Sequence, residues 1–434
     1  MIRLLRAALM CVVLLAIATL GSTGGSAGAR TRPAVTKLTK LWTARLTGPG
    51  TTPVIADGEV FVTAIDPRLS KASAATASDL YAFRATCPPA PAGCAKTLSW
   101  VHSYPAIQAG KMLFAADLTP AAVGNGNVYV GENQIGADQY DGPEQAFAAA
   151  SGAQVFSVRQ GGTSTPAVAD GVVATNWQFQ CCFAGVNFSG TEVLNASTGA
   201  QLFTTVSSPS SPPAVGAGSL FVVSGGALAA YDASGRDCVP PSSVPPDELL
   251  AYENATGFPE VCTPLWFAIT GAAVGASATV TGSEMYVGSS DGHVYAFPAA
   301  GCGNSECEPD WTGTAGGTIT TSVAISSTTV FVASSDGVLS AFPAGGCGST
   351  TCTPTWTGTV GGSLSAPTVA GSLVYVTSTS GELVAFPAGG CGAPTCSPSS
   401  HATLHAPSGT APAVGNGVIF VTDSHHDLYA FRQP

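Results

Sequence analysis

The chain has 434 residues, of which only 9% are charged, with 52 Gly, 31 Pro and 13 Cys; a cytosolic enzyme would carry roughly a quarter of its residues charged. The formal net charge of −11 excludes a nucleic-acid or anionic-membrane partner held through a basic patch. Gly and Pro at this density exclude long helices, and short runs of Val, Thr, Phe and Tyr favour strands, so the expected fold class is all-β.

At the N-terminus, Arg3 and Arg6 precede an apolar stretch from Ala7 to Leu20 and then the small residues Ala27-Gly28-Ala29. That order of basic, apolar and small residues predicts a signal peptide over residues 1–29. The apolar run of about 14 residues is shorter than the roughly 20 needed to span a bilayer. The expectation is therefore a single domain over residues 30–434, secreted or held at the cell envelope, with no transmembrane segment after cleavage.

Cys11 leaves with the signal, and the twelve remaining cysteines suit a disulfide set in an oxidising compartment. Three pairs, Cys302 with Cys307, Cys347 with Cys352 and Cys391 with Cys396, are each five residues apart. Two more, Cys87 with Cys94 and Cys238 with Cys262, flank similar Pro-rich stretches. If these five pairs close locally, the neighbours Cys181 and Cys182 either bond to each other or stay reduced. Zinc is disfavoured for these cysteines, because no C-x₂-C pair or suitably spaced histidine accompanies them.

A repeat runs through the rest of the sequence. Met285-Tyr286-Val287, Asp291-Gly292, Val294-Tyr295-Ala296-Phe297-Pro298, Cys302, Cys307 and Trp311 recur from Val330 to Trp356, again from Val374 to Cys396, and finally from Ile419 to Phe431. The Phe markers lie 45, 44 and 45 residues apart. Weaker copies upstream open at Thr52-Pro53-Val54, Thr119-Pro120-Ala121, Thr165-Pro166-Ala167 and Pro212-Pro213-Ala214, which makes eight. Apolar runs of four to six residues between Gly, Asp and Ser turns read as four antiparallel strands per repeat, A to D. Units of this period fit the blades of a β-propeller. The eighth repeat ends at Phe431 without a strand D, whereas an orphan segment, Leu41 to Gly48, precedes the first. The N-terminal segment is therefore expected to complete the last blade and close an eight-bladed ring, removing exposed edges.

The strand-Asp-Gly-x-Val-Tyr-Ala-Phe pattern followed by a Trp-bearing strand resembles the pyrroloquinoline-quinone-type (PQQ-like) propeller repeat, most clearly over residues 279 to 434. Relatives of that repeat include quinoprotein alcohol dehydrogenases and a non-enzymatic outer-membrane assembly lipoprotein. The dehydrogenases commonly carry a disulfide between adjacent cysteines beside the quinone, so the resemblance implies such a bond at Cys181-Cys182, flanked by Trp177, Phe179 and Phe183. Their calcium-binding Glu and Asn and their catalytic Asp have no identifiable counterparts here, and no C-x-x-C-H haem motif is present.

Three B-to-C connections are long and should rise from one face: Ile65 to Asp79, Glu132 to Glu144 and Thr175 to Gly190. Loops on a rigid scaffold concentrate binding residues, and these offer Asp66, Arg68, Asn133, Asp138, Tyr140, Asp141, Asn176, Trp177 and Gln178 beside Cys181 and Cys182. Other candidates are weaker. Gly288-Ser289-Ser290-Asp291-Gly292 matches G-x-S-x-G but lacks the helix of a nucleophile elbow. Asp423, His425, His426 and Asp427 read as a solvated turn, and His401 and His405 lie too far apart along a strand to share an ion, so no metal site is assigned. Asn187, Asn195 and Asn254 are sequons only in a glycosylating host. The reading is a monomeric, non-enzymatic binding or scaffolding module for a protein, small-molecule or carbohydrate ligand, with no cofactor expected. The alternative is a PQQ-dependent oxidoreductase with calcium, using the Cys181-Cys182 sector.

Overall fold

In the computed structural model the described residues are 35–65, 78–86, 96–104, 107–109, 112–114, 116–134, 143–158, 162–180, 187–239, 261–272 and 274–434. They form eight small antiparallel sheets arranged as an eight-bladed β-propeller, one sheet for each repeat. Residues 1–29, expected to be a signal peptide, and the expected site residues Asp66, Arg68, Asp138, Tyr140 and Asp141 lie outside the described residues. Among the described residues no helix is long and apolar enough to cross a membrane.

Blade 5 shows how one repeat folds. Strands A (Thr279–Thr281), B (Glu284–Gly288), C (His293–Pro298) and D (Trp311–Thr314) pair in sequence order. The Asp-Gly of the B–C turn supplies the left-handed residue that a tight hairpin needs, with Gly292 at φ 84°. Ser290 of the G-x-S-x-G match is thus part of a hairpin between two strands and not of a strand-to-helix elbow. Apolar side chains alternate into the gaps between blades. Trp311 packs on Phe342 of blade 6, Trp356 on Phe386 of blade 7 and Trp266 on Phe297 of blade 5, with centroids 6.0–6.2 Å apart.

The N-terminal segment closes the ring. Lys40–Arg45 is strand D of blade 8, with Trp42 opposite Ala430, Thr43 opposite Tyr429 and Ala44 opposite Leu428. One pairing was not legible in the repeat: Thr36–Lys37 runs parallel to strand D of blade 7, with Thr36 opposite Ser400.

Among the described residues four of the expected disulfides are present: Cys238–Cys262, Cys302–Cys307, Cys347–Cys352 and Cys391–Cys396. The other two expected pairs, Cys87 with Cys94 and Cys181 with Cys182, lie outside the described residues. Each of the four bonds falls in a C-to-D connection, and each of the four clipped loops also reaches across to the previous blade. Gly313 of blade 5 pairs with Cys352, Gly358 of blade 6 with Cys396, Thr204 of blade 3 with Val261, and Phe267 of blade 4 with Glu306, all parallel. The clips therefore do more than shorten loops, because they cover the outer backbone edge of the neighbouring strand D. The same loops seat the tryptophans. A Cβ on Gly346 would come within 2.8 Å of Trp311, and one on Gly390 within 2.7 Å of Trp356.

Candidate functional site

The long connection of blade 3 is not a loop over most of its length. Strands Val172–Gln180 and Asn187–Asn195 stay paired out to Gln180 opposite Asn187. Successive residues Thr175, Asn176, Trp177 and Gln178 lie on alternate faces of a continuing hairpin, which is why the insert extends the blade instead of leaving it. In blade 2, strand B (Asn127–Gln134) outruns strand C and pairs instead with Ala116–Leu118, placing Asn133 opposite Asp117.

These extensions wall a cleft of about 570 Å³ over blades 2 to 4, lined by Asp117, Thr119, Ser164, Asn176, Trp177, Gln178, Ser189 and Ser211 among others. Of the expected site residues, Asn176, Trp177 and Gln178 are brought together here, and the backbone of Asn133 lies beside the cleft. Asn176 is buried and fully engaged. Its Nδ2 donates to the Ser211 carbonyl (2.8 Å), its Oδ1 accepts from Thr191 (2.9 Å), and its amide donates to Ser164 Oγ (3.0 Å). The Trp177 indole donates to Thr204 Oγ1 (3.0 Å) and packs on Gly190, where a Cβ would meet the ring at 2.9 Å. Asn176 and Trp177 thus build the wall, while Gln178 is exposed toward the cleft.

Asp117 is the one ionisable side chain among the described lining residues, and burial pushes its carboxyl up. The other described lining side chains are hydroxyls, amides and apolar groups, so the cleft offers mainly uncharged hydrogen-bonding partners beside this one carboxyl. The described lining of the central channel, which includes Thr52, Pro120, Thr165, Ser277, Thr321 and Ala411, brings no carboxylate to a divalent cation and no aromatic face to a planar ring; the Cys181-Cys182 sector, where a quinone is expected, lies outside the described residues.

Sequence reasoning missed a buried acidic layer behind the wall. Glu132, Glu144 and Glu192 are 7%, 0% and 2% exposed. Glu144 occupies the repeat position held by Leu80, Leu228, Val294, Leu339, Leu383 and Leu428 in six other blades, all fully buried. Burial, and then the charge of Glu192, push its carboxyl well above the ordinary range, with the Thr175 hydroxyl opposing. The Tyr104 phenol is raised by burial, then by Glu132 and Glu144, and its hydroxyl has no hydrogen-bond partner among the described residues. Glu132 accepts from Gln145 at 3.3 Å. A Glu at an aliphatic repeat position was the available signal.

Comparison with known proteins gives one consistent answer on fold. The family model described as outer membrane protein assembly factor BamB matches residues 100–390. BamB from Moraxella catarrhalis is similar over 91% of this chain and 97% of its own, at 14% identity and a TM-score of 0.59. A europium-containing methanol dehydrogenase is similar over 91% and 93%, at 10% identity and 0.56. The computationally designed protein Ika8 is similar over 91% and 99%, at 11% identity and 0.61. At such identities the likeness is one of fold. No protein of curated function matches the sequence significantly.

Proposed function

The chain belongs to the family of the outer membrane protein assembly factor BamB, and from that premise we propose that it is an exported, monomeric PQQ-like propeller that binds a partner and performs no catalysis. The observation that carries this reading is the cleft over blades 2 to 4: a preformed, hydroxyl- and amide-lined groove with one ionisable group among its described lining residues, walled by strand extensions of blades 2 and 3. Polar, uncharged lining of this kind suits a polypeptide backbone or a glycan, each of which offers many hydrogen-bonding groups and little charge. The BamB relative is named an assembly factor, a role consistent with protein binding. Export is supported by the basic-apolar-small N-terminal order and by four disulfides in the mature region.

The runner-up, a quinone-dependent oxidoreductase, rests on the adjacent Cys181-Cys182 pair and on the fold likeness to a methanol dehydrogenase. One experiment separates the two. Purified protein is incubated with pyrroloquinoline quinone and calcium, then assayed for bound chromophore and for alcohol-dependent dye reduction. In parallel it is screened against peptide and glycan arrays, using wild type and Gln178→Ala. Array binding weakened by Gln178→Ala, with no turnover, supports a binding module. Saturable quinone binding with turnover overturns it.

A further inference from the structure

The blade 7 to blade 8 junction carries a side-chain set that the repeat does not explain. In the preceding blades, the residue five positions after the strand D tryptophan is a glycine, Gly271, Gly316 or Gly361. It faces the B–C turn of the next blade. A Cβ on Gly271 would strike the Asp291 carboxylate, and one on the adjoining Gly317 would strike Asp336. At the corresponding place after blade 7 stands His405, and the turn it faces has His425 in place of Asp291 and Asp336. Both sides of one contact have changed to histidine. The same turn has Asp423 where blades 5, 6 and 7 have Ser289, Ser334 and Ser378, and it keeps His426 at φ 69° where those blades have a left-handed glycine.

We propose that His405, His425, Asp423 and Asp427 form a binding site for a divalent transition-metal ion of the zinc class, clamping blade 7 to blade 8. Ligand atoms of His405, Asp423 and Asp427 all lie within 4.8 Å of one another, and His405 Nδ1 is 3.4 Å from His425 Nδ1. Two nitrogens bound to one tetrahedral zinc at about 2.1 Å are held about 3.4 Å apart. That separation is long for an N–H···N hydrogen bond between the rings.

Asp423 is 3% exposed and oriented from behind. Its Oδ2 accepts from the Tyr429 hydroxyl (2.9 Å), and its Oδ1 accepts from the amides of His425 (2.9 Å) and Asp427 (3.1 Å). Outer hydrogen bonds of this sort fix a ligating carboxylate in place. Two imidazoles beside two carboxylates favour zinc, cobalt or nickel over calcium, which takes oxygen ligands. One group competes: Arg45, largely exposed, lies 3.4 Å from Asp427 Oδ1 and also donates to the His425 carbonyl. The guanidinium would have to share or yield that oxygen. His401 and His405 do not meet, as the strand spacing required; the second imidazole comes from the B–C turn of the next blade, 20 residues further on.

The test uses tag-free, chelator-stripped protein titrated with Zn²⁺ by calorimetry and with Co²⁺ by visible absorption, with the fold of each variant checked by circular dichroism. The expected result is one Zn²⁺ per chain, a tetrahedral cobalt spectrum, and affinity lowered at least about tenfold by His405→Ala and by His425→Ala. His293→Ala, at the start of strand C in blade 5, should leave binding unchanged, and Arg45→Ala should tighten it by removing the competing cation. Absence of saturable Zn²⁺ binding, or binding that survives both His405→Ala and His425→Ala, overturns the site.

Discussion

The indole of Trp42 packs against the ring of Phe83 with centroids 6.0 Å apart, although Trp42 belongs to the sheet completed by the C-terminal strand and Phe83 to blade 1. Its other side meets Phe420 at 5.7 Å. One side chain from the N-terminal segment therefore fills the seam between the last blade and the first. Truncating a buried Trp typically costs about 3–5 kcal/mol, so Trp42→Ala is expected to lower stability by that order in denaturant titration. Removing residues 35–46 altogether should do more, because it also strips strand D from blade 8 and uncovers the edge of the Asp427–Arg432 strand. A truncated chain as stable and monomeric as the full one would contradict ring closure by the N-terminal segment.

The Cys347–Cys352 clip joins loop closure to edge protection. A loop this short contributes about 2 kcal/mol by restricting the unfolded chain, and Cys352 also pairs with Gly313 of the neighbouring blade. The Cys347→Ser plus Cys352→Ser double variant should lose about 2 kcal/mol and also gain self-association, as light scattering would register, because the Trp311–Thr314 edge is uncovered. Lost stability without association would mean that the pairing adds nothing to the crosslink.

The architecture was readable because one module recurs: the Phe297, Phe342, Phe386 and Phe431 spacing reports the period, and the missing strand D after Phe431 locates the closure. The walls of the cleft were only half readable. The Asn176-Trp177-Gln178 segment stood out as an insertion, yet nothing in its composition showed that the strands stay paired to Gln180 and Asn187, since hairpin length depends on cross-strand register. Glu144 was visible and passed over, because a reading organised by repeated residues discounts the position where a repeat is broken. His405 and His425 meet only through the juxtaposition of two blades, which no linear spacing encodes.

Asn176 and Gln178 separate structure from recognition. Asn176→Ala leaves the Ser211 carbonyl and the Thr191 hydroxyl to find other partners inside the wall, and an unsatisfied buried polar group costs about 1–3 kcal/mol. Gln178 is exposed, and surface changes away from such networks usually stay within about 0.5 kcal/mol. Thermal melts should therefore drop for Asn176→Ala and stay near wild type for Gln178→Ala, whereas array binding should weaken for Gln178→Ala. Equal melts for the two variants would show that the Asn176 network carries no net stability.

Glu144 makes stability depend on pH in a direction opposite to that of a salt-bridged carboxylate. Its folded pKa is raised by burial and by Glu192, so between the unfolded value near 4.3 and the raised folded value the native state holds more protons than the unfolded state. Stability attributable to this group is then complete below the unfolded pKa and is lost as pH rises through the folded one. Glu144→Leu restores the side chain found at Leu228, Leu339, Leu383 and Leu428 and removes that loss. The variant is expected to exceed wild type by on the order of 2 kcal/mol at neutral pH, the scale of gain when buried ionisable groups give way to packed apolar ones. The advantage should shrink toward pH 4 as the wild-type carboxyl becomes protonated in both states. Glu144→Gln should show the same flattening with a smaller gain, because it drops the charge and keeps a polar group to be satisfied. Denaturant titrations of the three proteins from pH 4 to 8 read this directly, and a wild-type-to-variant difference that does not change with pH would mean that Glu144 does not hold its proton in the fold.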